Sequence, residues 1–431
     1  MNDTIFALGS GAPPAAIGVI RISGPGAGPA LDRLAGRRPA PRRAVLASLA
    51  DTDGLPLDKA MVLWLPGPGT ATGEDSAELH LHGGRAVVAA VERTLALLPG
   101  LRRAEPGEFT RRAFANGLID LAEAEGLADL LSAETELQRR GALAMAGGDL
   151  SRLVAGWRAR VLGMSAMIEA ALDFAGDDDI DEAGSALPAS FSESSQNLAE
   201  ELAGWLTRPR AEPLREGFRV VLAGPPNAGK STLFNALVED EAAITAAEPG
   251  TTRDVLVRAV ALRGVPFTFV DTAGLRDEGA GTIEQIGIAR ARAEAERADL
   301  VLWLGPVGSG PRGGVVWDIA ARCDLPAMVA RSDARLCLSA VTGEGLQELR
   351  TALVDHALAA LPAPGEVALN ARQHRHLAEV AEAAREASAQ ADPLLAAESL
   401  RVARVALDRL VGRTGTEDML DALFGRFCIG K

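Results

Sequence analysis

One run of eight residues has the composition and spacing of a phosphate-binding loop. It reads Gly-Pro-Pro-Asn-Ala-Gly-Lys-Ser over residues 224–231, between an apolar run at 220–222 and a segment of helix-forming character. Glycines allow consecutive backbone N–H groups to turn toward a phosphate, and Lys230 supplies a positive charge near the terminal phosphates. The hydroxyl of Ser231 is available to bind Mg²⁺. The loop therefore predicts a nucleoside triphosphate site.

A second phosphate element is the Asp-Thr-Ala-Gly motif that begins at Asp271, after an apolar run. A strand there would bring Asp271 to the Mg²⁺ ion through water, and Gly274 would leave room for a backbone N–H to meet the γ-phosphate. Thr251 and Thr252 lie between the two elements. We predict Thr252 as an Mg²⁺ ligand that binds only while the γ-phosphate is present, which is how a nucleotide switch works. This combination indicates a GTPase.

Base recognition is predicted from a weaker pattern. The run Ala-Arg-Ser-Asp at 330–333 stands where a GTPase carries Asn-Lys-x-Asp, so Asp333 is present but the asparagine is not. Losing one buried hydrogen-bonding partner costs about 1 to 3 kcal/mol, which weakens binding without abolishing the preference for guanine. Ser339 and Ala340 follow a short predicted strand and match the Ser-Ala-x element that contacts guanine. We therefore expect GTP rather than ATP.

Together these elements predict a GTP site of thirteen residues. They are Asn227, Ala228, Gly229, Lys230, Ser231, Thr232, Thr251, Thr252, Asp271, Gly274, Asp333, Ser339 and Ala340. Leu275 occupies the position of the glutamine that orients the attacking water in Ras-like enzymes, and an apolar side chain cannot do so. Acidic candidates for that role follow at Asp277, Glu278 and Glu284.

The elements that would carry these residues form several domains. Residues 1–116 alternate short β-like runs with one helical run, and from about Asp120 the apolar spacing becomes helical. Proline-bearing linkers at 208–213 and 361–365 bracket the nucleotide-binding segment. We predict an N-terminal α/β domain (1–116), a helical domain in two parts (117–213 and 363–431), and a nucleotide domain (214–362) inserted into it.

Apolar stripes predict the packing of the helical domain. Their members, spaced three or four residues apart, are Leu150, Val154, Trp157, Val161, Met164 and Ile168; Phe191, Leu198, Leu202 and Trp205; and Leu400, Ala403, Leu407 and Leu410. Asp392-Pro393 is a predicted helix start, and Gly412 a predicted stop. The helical segments before and after the nucleotide domain should therefore form one bundle.

Composition bounds the class of protein. The chain has 431 residues, 48% of them apolar, a net charge of −14 and three cysteines. No apolar run reaches the roughly 20 residues of a membrane span, and no signal peptide begins the chain, so we expect a cytoplasmic protein. The acidic balance argues against general nucleic-acid binding. The cysteine spacing predicts neither a disulfide framework nor a zinc site. We expect His80 and His82 to lie on one face of a strand, where they are hydrogen-bonded or face solvent.

Several motifs together resemble one family over essentially the whole chain. They are Gly18 to Gly24, Thr72-Gly-Glu-Asp75, Pro106-Gly-Glu-Phe109, Gly250-Thr-Thr-Arg-Asp254, Asp271 to Asp277, and the closing Phe427-Cys-Ile-Gly-Lys431. In order and in type they are similar to the tRNA-modification GTPases MnmE, also called TrmE. The Cys-Ile-Gly-Lys ending is the most diagnostic motif, because many GTPases share the nucleotide loops but few share that tail.

The resemblance implies an architecture and a reaction. It implies a folate-binding N-terminal α/β domain that makes a homodimer, a discontinuous helical bundle, and an inserted Ras-like P-loop G domain. With an FAD protein of the MnmG (GidA) type, in a heterotetramer, the family adds an aminomethyl or carboxymethylaminomethyl group to carbon 5 of a tRNA wobble uridine. A 5,10-methylene or 5-formyl tetrahydrofolate supplies the one-carbon unit. GTP hydrolysis requires Mg²⁺ and depends on K⁺.

The resemblance also implies roles for particular residues. Those for K⁺ are Asn227, Ala246, Glu248 and Thr251; those for folate are Arg21, Glu78 and Lys431; and those for catalysis are Glu284, Lys230 and Cys428. Magnesium would be held by Ser231 and Thr252. Three departures stand out: Leu118 replaces a folate-contacting lysine, Ala246 replaces a threonine of the K⁺ loop, and Glu284 lies one residue farther from the aspartate motif.

Two other functions fit part of this pattern. One is a regulatory GTPase similar to the ribosome-assembly factor Era, without modifying activity, although the acidic chain lacks the basic RNA-binding appendage expected there. The other is a folate-binding scaffold whose G domain is weakened. The presence of Lys230, Ser231, Thr252 and Asp271 argues against that scaffold, whereas Ala246 and Ala330 leave it open.

Overall fold

A computed structural model describes residues 3–174, 187–239, 256–272, 293–325, 333–413, 417–425 and 427–430. The chain divides into two compact units, residues 1–128 with 408–431 and residues 129–407. Each contains a six-stranded sheet. None of the helices within these described ranges is long and apolar enough to cross a membrane.

The first unit combines a mixed sheet with short helices. Its strands are β1 (Thr4–Leu8), β2 (Ile17–Ser23), β3 (Val45–Ala50), β4 (Pro56–Leu65), β5 (Ser76–His82) and β6 (Leu101–Arg103), and its helices are α1 (Ala27–Ala35), α2 (Arg85–Ala96), α3 (Glu108–Ala115), most of α4 (Leu121–Ser132) and α13 (Glu417–Phe424). The sheet order is β3-β4-β5-β2-β1-β6, antiparallel except for the β1–β6 pair.

The core of this unit lies between its sheet and its helices. Ile20 and Ile22 of β2 alternate with more exposed residues and pack with Leu31 of α1 and Val91 of α2. A period of two places alternate side chains on the buried face. The short β-like runs predicted within residues 1–116 are therefore strands, as in β2 and β4, and α2 is a helical run in the same region.

The C-terminal tail packs within the first unit. Ile429 forms an isolated antiparallel bridge with Pro106, and the ring of Phe424 lies 6.2 Å from that of Phe114 and 6.1 Å from that of Phe427. Gly107 has φ 68°, and a Cβ there would overlap the carbonyl group of Phe424. The Pro-Gly-Glu-Phe motif and the tail motif are therefore two sides of one contact.

The second unit contains the helical bundle and the second sheet. Its remaining helices are α5 (Glu136–Ala146), α6 (Asp149–Phe174), α7 (Ala189–Leu206), α8 (Glu212–Glu216), α9 (Lys230–Val238), α10 (Leu346–Ala360), α11 (Ala371–Ala389) and α12 (Pro393–Leu410), the last of which continues into the first unit. Its strands are β7 (Phe218–Ala223), β8 (Leu256–Leu262), β9 (Val265–Asp271), β10 (Leu300–Trp303), β11 (Val316–Ala321) and β12 (Leu336–Leu338).

Helices from both sides of the nucleotide-binding segment pack together. The buried Ser195 hydroxyl of α7 donates to the carbonyl oxygen of Ala384 in α11 at 2.7 Å. The predicted stripes are buried, apart from Trp205, which is half-buried. Asp392 accepts a hydrogen bond from the N–H of Leu394 at the start of α12, and the helix ends before Gly412, as predicted. The bundle is therefore discontinuous in sequence.

The second sheet has the order β12-β11-β10-β7-β9-β8 and is parallel except for β8. Its strands are almost continuously apolar, and β9 is buried along its whole length. Parallel strands covered on both faces show this composition. The carboxyl ends of β7, β9, β10, β11 and β12 share one edge, which positions the loops that follow them.

Two details differ from the sequence predictions. Pro213 does not belong to a linker but lies in the first turn of α8, where a missing N–H costs no helical hydrogen bond. Cys323 and Cys337 form a disulfide. The prediction of no disulfide was wrong for this pair because Arg322, with φ 67°, turns the chain after β11 and brings Cys323 beside β12.

Candidate nucleotide and folate sites

The phosphate loop connects β7 to α9 as the sequence predicted. Asn227 has φ 58° and Gly229 has φ 94°, and Gly229 directly precedes the first residue of α9. Left-handed backbone at these positions curls the loop, and the first N–H groups of α9 have no partner within the helix. The loop therefore presents backbone donors and the positive end of the helix dipole to an anion.

Lys230 is held within this loop. Its ammonium group donates to the carbonyl oxygens of Gly224 at 3.0 Å and Pro225 at 2.9 Å, and the residue is 8% exposed. These bonds keep the charge over the loop, where the terminal phosphates of a nucleotide would lie. Ala228, Ser231 and Thr232 flank it at the loop and the first turn of α9.

Ser231 and Asp271 meet at the edge of the sheet. The Ser231 hydroxyl donates to Oδ2 of Asp271 at 2.7 Å, and Asp271 is fully buried at the end of β9. Leu222 of β7 pairs with Asp271, and its carbonyl oxygen accepts from the Thr272 hydroxyl at 2.8 Å. Hydroxyl and carboxylate oxygens are the ligands that Mg²⁺ prefers. The two side chains therefore fit a Mg²⁺ ion.

The loops after β11 and β12 lie at the same edge. Ser339 is buried; its N–H donates to the Glu344 carbonyl oxygen at 2.9 Å, and its hydroxyl accepts from the Thr342 N–H at 3.2 Å. Ala340 follows it and is half-buried. Asp333 is exposed, just before β12. These placements leave the predicted base contact by Asp333 a prediction.

Sequence reasoning missed a second Ala-Arg-x-Asp run, at residues 321–324. This run begins at Ala321, the last residue of β11, and Arg322 Nη1 donates to the Asn227 carbonyl oxygen of the phosphate loop at 3.1 Å. Its aliphatic carbons lie beside Gly229. Asp324 is exposed in the turn that follows. The available signal was the buried apolar strand directly before the motif.

Seven predicted site residues lie outside the described residues. They are Ala246, Glu248, Thr251, Thr252, Gly274, Glu284 and Lys431. Their predicted roles in binding K⁺, Mg²⁺, GTP and folate, and in orienting water, therefore stay predictions.

The predicted folate residues Arg21 and Glu78 are direct partners. They face each other across β2 and β5, with Arg21 Nε 3.2 Å from Glu78 Oε1, and the Arg21 guanidinium lies 6.0 Å from the Phe109 ring. Their side chains are 31% and 20% exposed. His80 Nε2 lies 3.2 Å from the other oxygen of Glu78. A partly exposed carboxylate and guanidinium can form charge-assisted hydrogen bonds with the amide-like edge of a pterin.

The two histidines are hydrogen-bonded, as the sequence predicted. Besides the His80–Glu78 contact, His82 Nδ1 lies 2.7 Å from Oδ1 of Asp58. Burial raises the pKa of Asp58, but hydrogen bonds from His82 outweigh burial and leave that pKa below its usual value. Within the described parts of the chain, no group of three His, Cys, Asp or Glu side chains could hold a metal ion.

The first unit also contains a charge cluster around a buried arginine. Arg112 is 1% exposed and donates to Asp3, Glu74 and Glu108. Burial raises the pKa of Glu108, but hydrogen bonds from Arg102, the Glu105 N–H and Arg112 outweigh it and hold that pKa below its usual value. The cluster therefore ties the Thr-Gly-Glu-Asp motif to the Pro-Gly-Glu-Phe motif.

Cys428 is a free, exposed cysteine in the tail. The neighbouring Ile429 bridges to Pro106. The thiol therefore has access to solvent while the backbone beside it is held in place. This arrangement is compatible with the predicted catalytic role and does not test it.

The parallel sheet and the phosphate loop beside the buried Asp271 place the second unit among the P-loop nucleotide hydrolases of the GTPase class. Residues 4–118 match the family model "GTP-binding protein TrmE N-terminus", and residues 121–428 match "MnmE helical domain". The chain belongs to the MnmE (TrmE) family of tRNA modification GTPases.

Full-length relatives agree with this assignment. A tRNA modification GTPase MnmE from Novosphingobium aromaticivorans is 72% identical over 437 residues, and one from Erythrobacter litoralis is 62% identical over 429 residues; both matches cover 100% of each chain. Among solved structures, the G domain of the T. maritima FeoB iron transporter matches 32% of this chain and 98% of its own at 26% identity and a TM-score of 0.24.

Proposed function

We propose that this GTPase couples GTP hydrolysis to the modification of carbon 5 of a tRNA wobble uridine. It would act as a cytoplasmic homodimer with an FAD protein of the MnmG (GidA) type in a heterotetramer, adding an aminomethyl or carboxymethylaminomethyl group. The observation that carries the GTPase part is the Ser231–Asp271 contact beside the loop-held Lys230. Family membership and the Arg21–Glu78 pair support the folate part.

In the nucleotide site, Lys230 and the first N–H groups of α9 would bind the β- and γ-phosphates. Ser231 and Thr252 would bind Mg²⁺, and Asp271 would hold it through water. Mg²⁺ held there would neutralise negative charge that develops on the phosphates during hydrolysis. Asn227, with Ala246, Glu248 and Thr251, would bind K⁺. The remaining roles fall to Glu284, which would orient the attacking water, and Gly274, whose N–H would meet the γ-phosphate.

For the guanine base, we propose Asp324 as the accepting carboxylate in preference to Asp333. Parallel strands place the residues that follow them at the ligand-binding edge of the sheet. Asp324 follows β11 there, and the neighbouring Arg322 contacts the phosphate loop. Ser339 and Ala340 would complete the base site from the end of β12.

For the folate site, we propose Arg21, Glu78 and Lys431, with a 5,10-methylene or 5-formyl tetrahydrofolate as ligand. The guanidinium and carboxylate would bind polar atoms of the pterin. Leu118 is 45% exposed and supplies no cation for a glutamate tail.

We also propose domain limits near residues 116, 213 and 362. Cys428 would act as a nucleophile toward the pyrimidine ring of the uridine.

The first experiment compares GTP hydrolysis in K⁺ and Na⁺ buffers, with ATP as the control substrate and Asn227→Ala as the variant. Strong stimulation by K⁺ that is lost in the variant supports dimer-dependent GTPase chemistry. Equal, slow turnover in both salts removes the potassium mechanism. Production of modified wobble uridine by the protein with its flavoprotein partner and tRNA then tests the reaction itself.

Folate binding is tested separately by calorimetric titration with 5-formyltetrahydrofolate. Arg21→Ala and Glu78→Gln should each weaken binding by about tenfold or more, because a charge-assisted hydrogen bond contributes about 1.5 to 3 kcal/mol. Arg103→Ala is the matched control, since the exposed Arg103 lies on β6 of the same sheet and pairs with Glu92 of α2. Unchanged titrations for both variants would contradict the proposed site.

A further inference from the structure

The one disulfide among the described residues lies between the two segments proposed to recognise guanine. Cys323 is the residue between Arg322 and Asp324, and Cys337 lies in β12 just before Ser339. Their Cα atoms are 6.2 Å apart, within the usual range for a disulfide. The bond therefore joins the segment that carries Asp324 to the strand that delivers Ser339.

Within the described ranges, a short ladder and one further backbone hydrogen bond connect these two segments. β12 has three residues and is the edge strand of the sheet, paired only with β11. Beyond that pairing, the Cys323 N–H donates to the Leu338 carbonyl oxygen at 3.1 Å. A short edge strand is weakly held by its ladder. A covalent bond at this position therefore strongly restricts how the segments that carry Asp324 and Ser339 move relative to each other.

The disulfide is also accessible. Cys337 is exposed and Cys323 is half-buried, in contrast to a structural disulfide in a core. Exposed disulfides are the ones that exchange readily with thiols, and cytosolic disulfides are usually redox-sensing or catalytic. Neither cysteine belongs to the phosphate loop or to the pair Ser231 and Asp271, although the neighbouring Arg322 contacts that loop.

We propose that Cys323 and Cys337 form a reversible oxidation site that sets the affinity for guanine nucleotides, with the disulfide form binding more tightly. The inference rests on the proposed guanine site. Two loops already joined in position lose less conformational freedom on binding than two separate loops. Reduction breaks the S–S bond and transfers two electrons and two protons from a dithiol, leaving two protein thiols and the oxidised dithiol. A disulfide oxidant reverses the step.

The test is equilibrium titration of fluorescent GDP with the full-length protein, oxidised by glutathione disulfide or reduced by dithiothreitol. Reduction should weaken binding by about fivefold, at the lower end of typical couplings between sites. Cys337→Ser should bind like the reduced protein under both treatments. A Cys323→Ser/Cys337→Ser double variant controls for Cys428, since reductant should then change nothing. Mass spectrometry after alkylation should count one free thiol before reduction and three after it.

Equal dissociation constants for the oxidised and reduced wild-type protein would overturn the redox proposal while leaving the GTP site intact. Three alkylated thiols in the oxidised sample would overturn it as well. Failure of both forms to bind GDP, with ADP bound instead, would overturn the guanine site together with this inference.

Discussion

Arg322 donates a hydrogen bond to the carbonyl oxygen of Asn227 at 3.1 Å. This contact connects the segment after β11 with the phosphate loop after β7, so the proposed base and phosphate contacts are parts of one surface. Because β10 lies between these strands in the sheet, the contact crosses a neighbouring strand end. The contact therefore favours Asp324 over Asp333 as the proposed acceptor for guanine.

Asp324→Asn should lower the affinity for GDP by roughly 10- to 100-fold, because guanine N–H donors would lose a carboxylate acceptor worth about 1.5 to 3 kcal/mol. The same variant should gain affinity for xanthosine diphosphate, whose extra carbonyl can accept from the new amide. Asp333→Asn is the matched control, with an expected change near zero. Fluorescent-nucleotide titration gives both values, and the reverse ranking would assign the base contact to Asp333.

Ser231→Ala should weaken the apparent Mg²⁺ affinity in GTP hydrolysis by about 10- to 100-fold, a range seen even for residues that act through a metal ligand. Ser231→Thr retains the hydroxyl and should retain most activity. The measurement is the Mg²⁺ dependence of phosphate release at saturating GTP. An alanine variant with a wild-type Mg²⁺ profile would remove Ser231 from the metal site.

Gly107→Ala should destabilise the first unit by about 2 kcal/mol or more, because it combines left-handed backbone with steric overlap at Phe424. Gly100 has φ 77° but open space around a Cβ, so Gly100→Ala measures the backbone cost alone. Denaturant unfolding of both variants separates the two effects. Equal losses of unfolding free energy would mean that the tail does not pack against Gly107.

Arg112→Met should cost about 3 to 5 kcal/mol of unfolding free energy, because it leaves the nearly buried Glu108 without a full set of partners. Arg139→Met is the control, since the ion pair of Arg139 with Glu136 is exposed. Denaturant unfolding at neutral pH measures both. A loss as small as that of the control would show that the cluster does not stabilise the fold.

The pKa of Glu108 is lower in the folded protein than its ordinary value of 4.5, despite burial, because of hydrogen bonds from Arg102, the Glu105 N–H and Arg112. The unfolded chain therefore binds a proton at higher pH than the folded chain does. The resulting stabilisation is present in full above about pH 5 and is lost as pH falls through the folded pKa. Unfolding free energies measured from pH 6 down to pH 3 should decline, and less steeply in Glu108→Gln.

Local patterns predicted much of this protein. The strand, loop and helix around Lys230 are adjacent in the chain, so their spacing alone specifies a phosphate loop. The stripes of α6 and α12 follow from helical periodicity, because a buried helix face repeats every three or four residues. Likewise the short β-like runs within residues 1–116 predicted strands in that region, although not that Arg21 and Glu78 would contact each other.

Only the tertiary structure decided which distant residues meet. Ser231 and Asp271 are 40 residues apart, and their contact depends on β9 lying next to β7. Two Ala-Arg-x-Asp runs are equivalent as sequence, and the structure places the first at the end of β11, with its arginine bonded to the phosphate loop. The Cys323–Cys337 bond depends on the left-handed turn at Arg322. Strand order and chain reversal are set by packing over the whole domain, because no single segment can bury its apolar face alone.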